Sequence, residues 1–143
     1  MDRHTLLAQA RQAALRAYAP YSHFRVGAAV VVATPSGPQI ITGTNVENAS
    51  FGLSLCAERA ALAAACGQFN GIGDEAGTLP AITHIAVACI DAPADGTSNH
   101  RVPCGACRQW FAELAPDVIF YIDGILEDVH LADLLPMPFA LNE

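Results

Sequence analysis

With 143 residues, seven basic side chains against fourteen acidic ones and a formal net charge of −7, the chain lacks the basic face with which nucleic-acid binders displace counterions. Its apolar runs, such as Ala28 to Ala33, fall far short of a membrane span, and the opening residues carry no signal-peptide layout, so a cytoplasmic protein acting on a small neutral substrate is expected. Hydrophobic residues make up 52% and charged ones 15%, which predicts either a subunit interface or simply an alanine-rich composition.

Residues 5 to 18 place Leu6, Leu7, Ala10, Ala14 and Leu15 at helical spacing, predicting an amphipathic helix laid on a core. Tyr18 to Ser22 ends it. The continuous apolar run from Val26 to Ala33 reads as a strand buried on both faces. Thr34 to Pro38 is a turn, and Gln39 to Thr44 reads as the hairpin partner, so the sheet begins antiparallel. Gly43 to Phe51 is too polar for a core strand and is expected to be a loop, either solvated or binding. Ser54 is a candidate cap for a helix running to Ala65 or Cys66, and Gly67 to Pro80 reads as a long connection.

Ile82 to Ile90 is the predicted third strand, followed by a polar loop from Asp91 to Arg101. Pro103 favours a first helical turn, and the helix it opens continues to about Ala115. Val118 to Ile122 supplies a fourth strand, parallel to the third because a helix connects them. Leu131 to Leu135 is a short helix ended by prolines. Without internal repeats or linkers, residues 1–143 are expected to form a single domain, an α/β sandwich.

Five cysteines punctuate this layout. Cys66 and Cys89 lie in apolar runs and read as core thiols, and a reducing compartment suits all five. Cys104 and Cys107 stand three apart at a helix start, where one face and the helix dipole favour their thiolate forms. Alone, such a pair is equally a structural zinc half-site or a redox motif. Cys56, at the start of the preceding helix, is the third candidate ligand. Three sulfurs leave one tetrahedral position on Zn²⁺ open for water, the catalytic arrangement. Glu58, two residues from Cys56, is then placed to take a proton from such a water and carry it to a leaving group. His4, His23, His84, His100 and His130 show no paired metal spacing and are expected to be surface or hydrogen-bonded residues.

Cys56-x-Glu58 followed by Pro103-Cys104-x-x-Cys107 is the all-cysteine form of the zinc deaminase signature. Together with Pro20 to Ala29, Asn45 to Ala49, Cys56 to Arg59, Pro103 to Gln109, and Leu134-Leu135-Pro136 with Phe139, the chain resembles the cytidine deaminase family, specifically its short homotetrameric branch. The resemblance implies a three-layer α-β-α sandwich with a mixed sheet. It implies Cys56, Cys104 and Cys107 on zinc and Glu58 as proton shuttle. It also implies Asn45 and Glu47 on the ribose 3′-hydroxyl, Phe24 against the pyrimidine and the Ala57 backbone on the base. Arg59, donating to a ligand sulfur, would offset part of the negative charge of three thiolates.

The activity implied is hydrolytic deamination of cytidine and deoxycytidine to the uracil nucleosides plus ammonia, in pyrimidine salvage. A blasticidin S type or modified-cytosine nucleoside deaminase is the alternative on the same fold. A polynucleotide-editing deaminase or a non-enzymatic zinc module fits less well, since Asn45 and Glu47 suit a free sugar and no fourth Cys or His closes the tetrahedron. Long loops before the third strand and before Pro103, Val102 in place of a small serine, and Ala140-Leu141 in place of Gly-Pro depart from the family pattern. Aromatic residues near Phe51 and Phe139 approach a neighbouring active site in the tetrameric relatives, and the departures bear on those contacts.

Overall fold

The computed structural model describes residues 1–69 and 78–141. Helix α1 (Arg3–Ala14) opens at Asp2, whose carboxylate accepts from the Thr5 amide at 2.9 Å and the Thr5 hydroxyl at 2.7 Å. It buries Leu6, Leu7, Ala10, Ala13 and Ala14, but it stops four residues before the expected Tyr18. Tyr18 instead leaves to bridge Val46, its amide donating to the Asn45 carbonyl and its own carbonyl accepting from Glu47, and Leu15 is left exposed.

Five strands form one mixed sheet in the order β2-β1-β3-β4-β5. β1 (Val26–Thr34) pairs antiparallel with β2 (Gly37–Thr44) through a tight turn closed by Gly37 at φ 111°, and antiparallel with β3 (Ala81–Cys89) on its other side. β4 (Ile119–Ile122) runs parallel to β3, as the intervening helix requires. β5 (Val129–His130) adds an edge that the sequence did not announce. Helix α4 (Leu131–Leu134) follows directly.

One face of the sheet is covered by α1, packed on Ala29, Val31, Ala86 and Ala88. The other carries α2 (Ala57–Phe69) and α3 (Gly105–Leu114), giving the expected three-layer α-β-α arrangement. β1 is buried on both faces, hence its unbroken apolar run. Two glycines set the layer spacing. A Cβ on Gly27 would lie 1.9 Å from the Ala10 carbonyl oxygen of α1, and one on Gly43 would lie 2.5 Å from the Ala61 nitrogen of α2. Phe111 of α3 and Phe120 of β4 meet edge to face at 5.1 Å, a buried pair that fixes α3 on the sheet.

Helix starts differ from expectation at both cysteine sites. Ser54 does not cap α2; it follows a 3-10 turn (Phe51–Leu53), and its hydroxyl accepts from the Asn48 amide. α2 begins directly after Cys56 and runs three residues beyond Cys66. Pro103 lies outside α3, whose N-cap is Cys104 itself. The expected connection from Gly67 to Pro80 begins only after α2, and its residues 70–77 lie outside the described residues. Among the described residues, no helix is long and apolar enough to cross a membrane.

Candidate active site

α2 and α3 lie on the same face of the sheet and point their N-termini at one spot. Cys56 immediately precedes α2, Cys104 caps α3, and Cys107 is buried in its first turn. The three sulfurs lie within 4.8 Å of one another. Cys56 Sγ is 3.7 Å from Cys104 Sγ, which is 3.5 Å from Cys107 Sγ. These separations exceed a disulfide bond and match the edge of a tetrahedron with metal–sulfur bonds of about 2.3 Å, roughly 3.8 Å. The donor set therefore fits zinc.

Charge is distributed to suit a cation. The Cys56 thiol is pulled down to about 5, chiefly by the hydrogen bond from Cys107, with help from Arg59 and Cys104, and against its own burial. Cys107 is raised in turn, as the donor of that bond and by burial. Arg59 Nη2 donates to Cys56 Sγ at 3.5 Å, and that bond raises the guanidinium's own pKa. Glu58, in the first turn of α2, is 5% exposed and pushed up to about 7, mainly by burial and further by the Cys56 charge. A carboxyl poised at neutrality beside a thiolate cluster can both accept and return a proton.

The sulfurs open on a cleft of about 290 Å³. Phe24, Asn45, Glu47, Ala57 and Glu58 all line it, together with Cys56 and Cys104. Asn45 holds the chain on either side of Arg25, its Oδ1 accepting from the Val26 amide and its Nδ2 donating to the Phe24 carbonyl, both at 2.8 Å. Glu47 accepts from the amides of Tyr21 and Ser22 at 3.0 and 3.1 Å and from the Ser22 hydroxyl. The Ser22 hydroxyl is the main reason its carboxyl lies below the usual range. The turn between them includes His23 at φ 55°, a left-handed backbone that aims Phe24 back at the cleft.

Cys89, Val102 and His100 also line the cleft, where sequence reasoning assigned them no role. Cys89, expected in the core, is indeed buried but also reaches the cleft, and Val102 and His100 enter from the 91–102 loop. Proximity to Cys104 was the available signal for the latter two. The Cys89 thiol is pushed up to about 12 by burial, so it lines the cleft as a neutral group.

A family model described as the cytidine and deoxycytidylate deaminase zinc-binding region matches residues 1–122. The chain is 38% identical to a cytidine deaminase of Halalkalibacterium halodurans, over 100% of this chain and 98% of the relative. It is equally 38% identical to one of Mycobacterium tuberculosis, over 100% and 93%. Its fold is similar to the crystal structure of a cytidine deaminase from Burkholderia pseudomallei, with a TM-score of 0.77 and 38% identity over 97% of this chain and 100% of that one. Three-sulfur cluster, buried carboxyl, fold and full-length similarity agree, and the chain belongs to the cytidine and deoxycytidylate deaminase family.

Proposed function

We propose that this protein is a zinc-dependent enzyme that hydrolyses cytidine and deoxycytidine to uridine and deoxyuridine with release of ammonia, a step of pyrimidine salvage. The observation that carries the reading is a buried carboxyl, Glu58, poised at about 7 beside three sulfurs at metal-binding separations. Cys56, Cys104 and Cys107 would hold the zinc. When bound, zinc supplies a water of lowered pKa as nucleophile. Glu58 would accept the proton that water gives up on attacking C4 of the pyrimidine and pass it to N3, and would then take the proton of the new C4 hydroxyl as the carbonyl forms and pass it to the amine, which leaves as ammonia. Arg59 draws charge from Cys56. Asn45 and Glu47 present an amide and a carboxylate for a sugar hydroxyl, which can then donate and accept. Phe24 and the Ala57 backbone bound the base.

We further propose a cytoplasmic homotetramer. Exposed Trp110, Met137, Phe139 and Leu141 on and beside α3 support self-association, and five free thiols support a reducing compartment.

The test is to load the protein with zinc and follow ultraviolet absorbance with cytidine, deoxycytidine, cytidine monophosphate and blasticidin S. Loss of the cytidine spectrum is expected, with kcat lower by about 10²-fold or more in Glu58→Gln. Turnover of blasticidin S alone would replace the proposed substrate. Full activity in the variant would remove Glu58 from the chemistry.

A further inference from the structure

The 91–102 loop carries a side chain that the activity as described leaves unused. His100 lines the cleft alongside Val102, and the loop is tied down at both ends and in its middle. Asp91 accepts from Arg25 Nη2 at 2.9 Å at one end. At the other, the Cys89 thiol donates to the Arg101 carbonyl at 3.7 Å, while Arg101 donates to the carbonyls of Pro93 at 2.9 Å and Asp123 at 3.4 Å. A 3-10 turn, Ser98–His100, delivers the imidazole, and Gly96 makes room for it: a Cβ at Gly96 would lie 2.8 Å from His100 Nδ1. Nδ1 thus faces the loop, and Nε2, on the other edge of the ring, is left for a ligand.

Strand order says which part of a ligand that is. Asn45 follows β2 and bonds Val26, which opens β1; Val26 pairs with Cys89 at the end of β3; and Cys89 bonds Arg101. The cleft floor therefore runs from Asn45 and Glu47 to the loop, with His100 closing the far end. A nucleoside whose sugar lies at Asn45 and Glu47 and whose N3 and C4 amine lie at Glu58 leaves its C5 edge, with any substituent there, for His100.

We propose that His100 is a specificity-determining residue for this enzyme, meeting the C5 edge of the pyrimidine, hydrogen-bonding a polar group carried there and so setting which C5 substituents are accepted, with Gly96 as its positioning residue. The assignment rests on the nucleoside deaminase reading above. The substrate class it selects is cytosine nucleosides that differ at the ring edge, such as cytidine, 5-methylcytidine and 5-hydroxymethylcytidine.

The zinc-loaded wild type, His100→Ala, His100→Gln and Gly96→Ala would be compared for kcat and KM on these three nucleosides, and for 5-hydroxymethyluridine affinity by calorimetry, which needs no turnover. Zinc content and melting temperature are measured on every variant. His100→Ala is expected to raise KM for 5-hydroxymethylcytidine and Kd for 5-hydroxymethyluridine about three- to tenfold, the range of one neutral hydrogen bond, with kcat within about twofold. It should change the ranking of the three nucleosides by kcat/KM. Gly96→Ala should reproduce the change with the imidazole present but displaced, and His100→Gln should restore part of the affinity. Unchanged KM, Kd and ranking in active, folded variants would overturn the role of His100 alone. A wild type that neither converts nor binds any of these nucleosides would overturn the deaminase reading, and this assignment with it.

Discussion

Three thiolates around a dication carry a net negative charge, which makes a water harder to ionise than three neutral ligands would. In the proposed site Arg59, whose Nη2 donates to Cys56 Sγ, is the cation set against them. Replacing it with Ala removes the charge but no ligand, so kcat should fall about tenfold or more while zinc, measured by mass spectrometry, stays near one per chain. Equal turnover would reduce Arg59 to a packing residue, and zinc loss in step with activity would make it structural. At this scale, the residues with fixed spacing were legible: Cys104, Cys107, Cys56 and Glu58 sit within a few positions of a helix start, and local geometry brings each pair together. His100 and Cys89 were not. Both read as bland locally, and only the pairing of β1 with β3 and the fold of the 91–102 loop brings them to the cleft.

The placement of Cys56 and Glu58 depends on how close α2 can lie to β2. At Gly43 the backbones nearly touch, since an added Cβ would meet the Ala57 carbonyl oxygen at 2.6 Å and the Ala61 nitrogen at 2.5 Å. Neither backbone atom can swing aside as a side chain would. Gly43→Ala must lift the first turns of α2, the turns that carry Glu58. Overpacking of this kind costs about 1–3 kcal/mol, a loss of about 3–10 °C in melting temperature, and kcat should fall with it. Gly52→Ala, with nothing within 4 Å of its new methyl, should change neither. Equal melting points for the two variants would show that the helix has room. Strands β1 to β4 and the hairpin were legible because their apolar runs are long and bounded by Pro and Gly. Helix starts were not, because Ser54 and Pro103 obey local capping preferences that the 3-10 turn and the Cys104 cap override. Two-residue β5 is too short to leave a pattern.

Across the whole molecule, an α/β sandwich followed from alternating apolar runs and its three layers from the family resemblance, whereas the proposed assembly has only a compositional trace in the sequence. The exposed groove of Ala112, Glu113, Pro138 and Phe139 beside α3 gives that trace a location. Light scattering should return four chains of 15.0 kDa, and Phe139→Ser should shift the population towards smaller species; a wild-type monomer would end the tetramer proposal.

Ion pairs join distant parts of the chain: Arg25 with Asp91 at 2.9 Å, and Arg11 of α1 with Asp123 after β4 at 2.6 Å. The Arg25 guanidinium, donating to Asp91, holds that carboxyl at about 2, and Arg11 lowers Asp123. A carboxyl whose folded pKa lies below its unfolded value near 3.8 binds fewer protons folded than unfolded above about pH 2. Its stabilisation is therefore complete above about pH 5 and is lost as pH falls through 4 towards 2. Both pairs are solvent-screened, so the effect is modest. The difference in urea midpoint between the wild type and Asp91→Asn should hold steady from pH 7 to 5, where Glu58 and Cys56 titrate in both proteins, and shrink below pH 4. Asp91→Asn should start lower at pH 7 and converge on the wild type near pH 2. Acid also protonates the cysteine ligands, but that loss is common to both proteins and cancels in their difference. Curves that coincide from pH 7 to 2 would mean that the Arg25 pair, and the anchoring of the 91–102 loop through it, contributes nothing to the folded state, and a constant offset would mean that its contribution does not depend on the charge of Asp91.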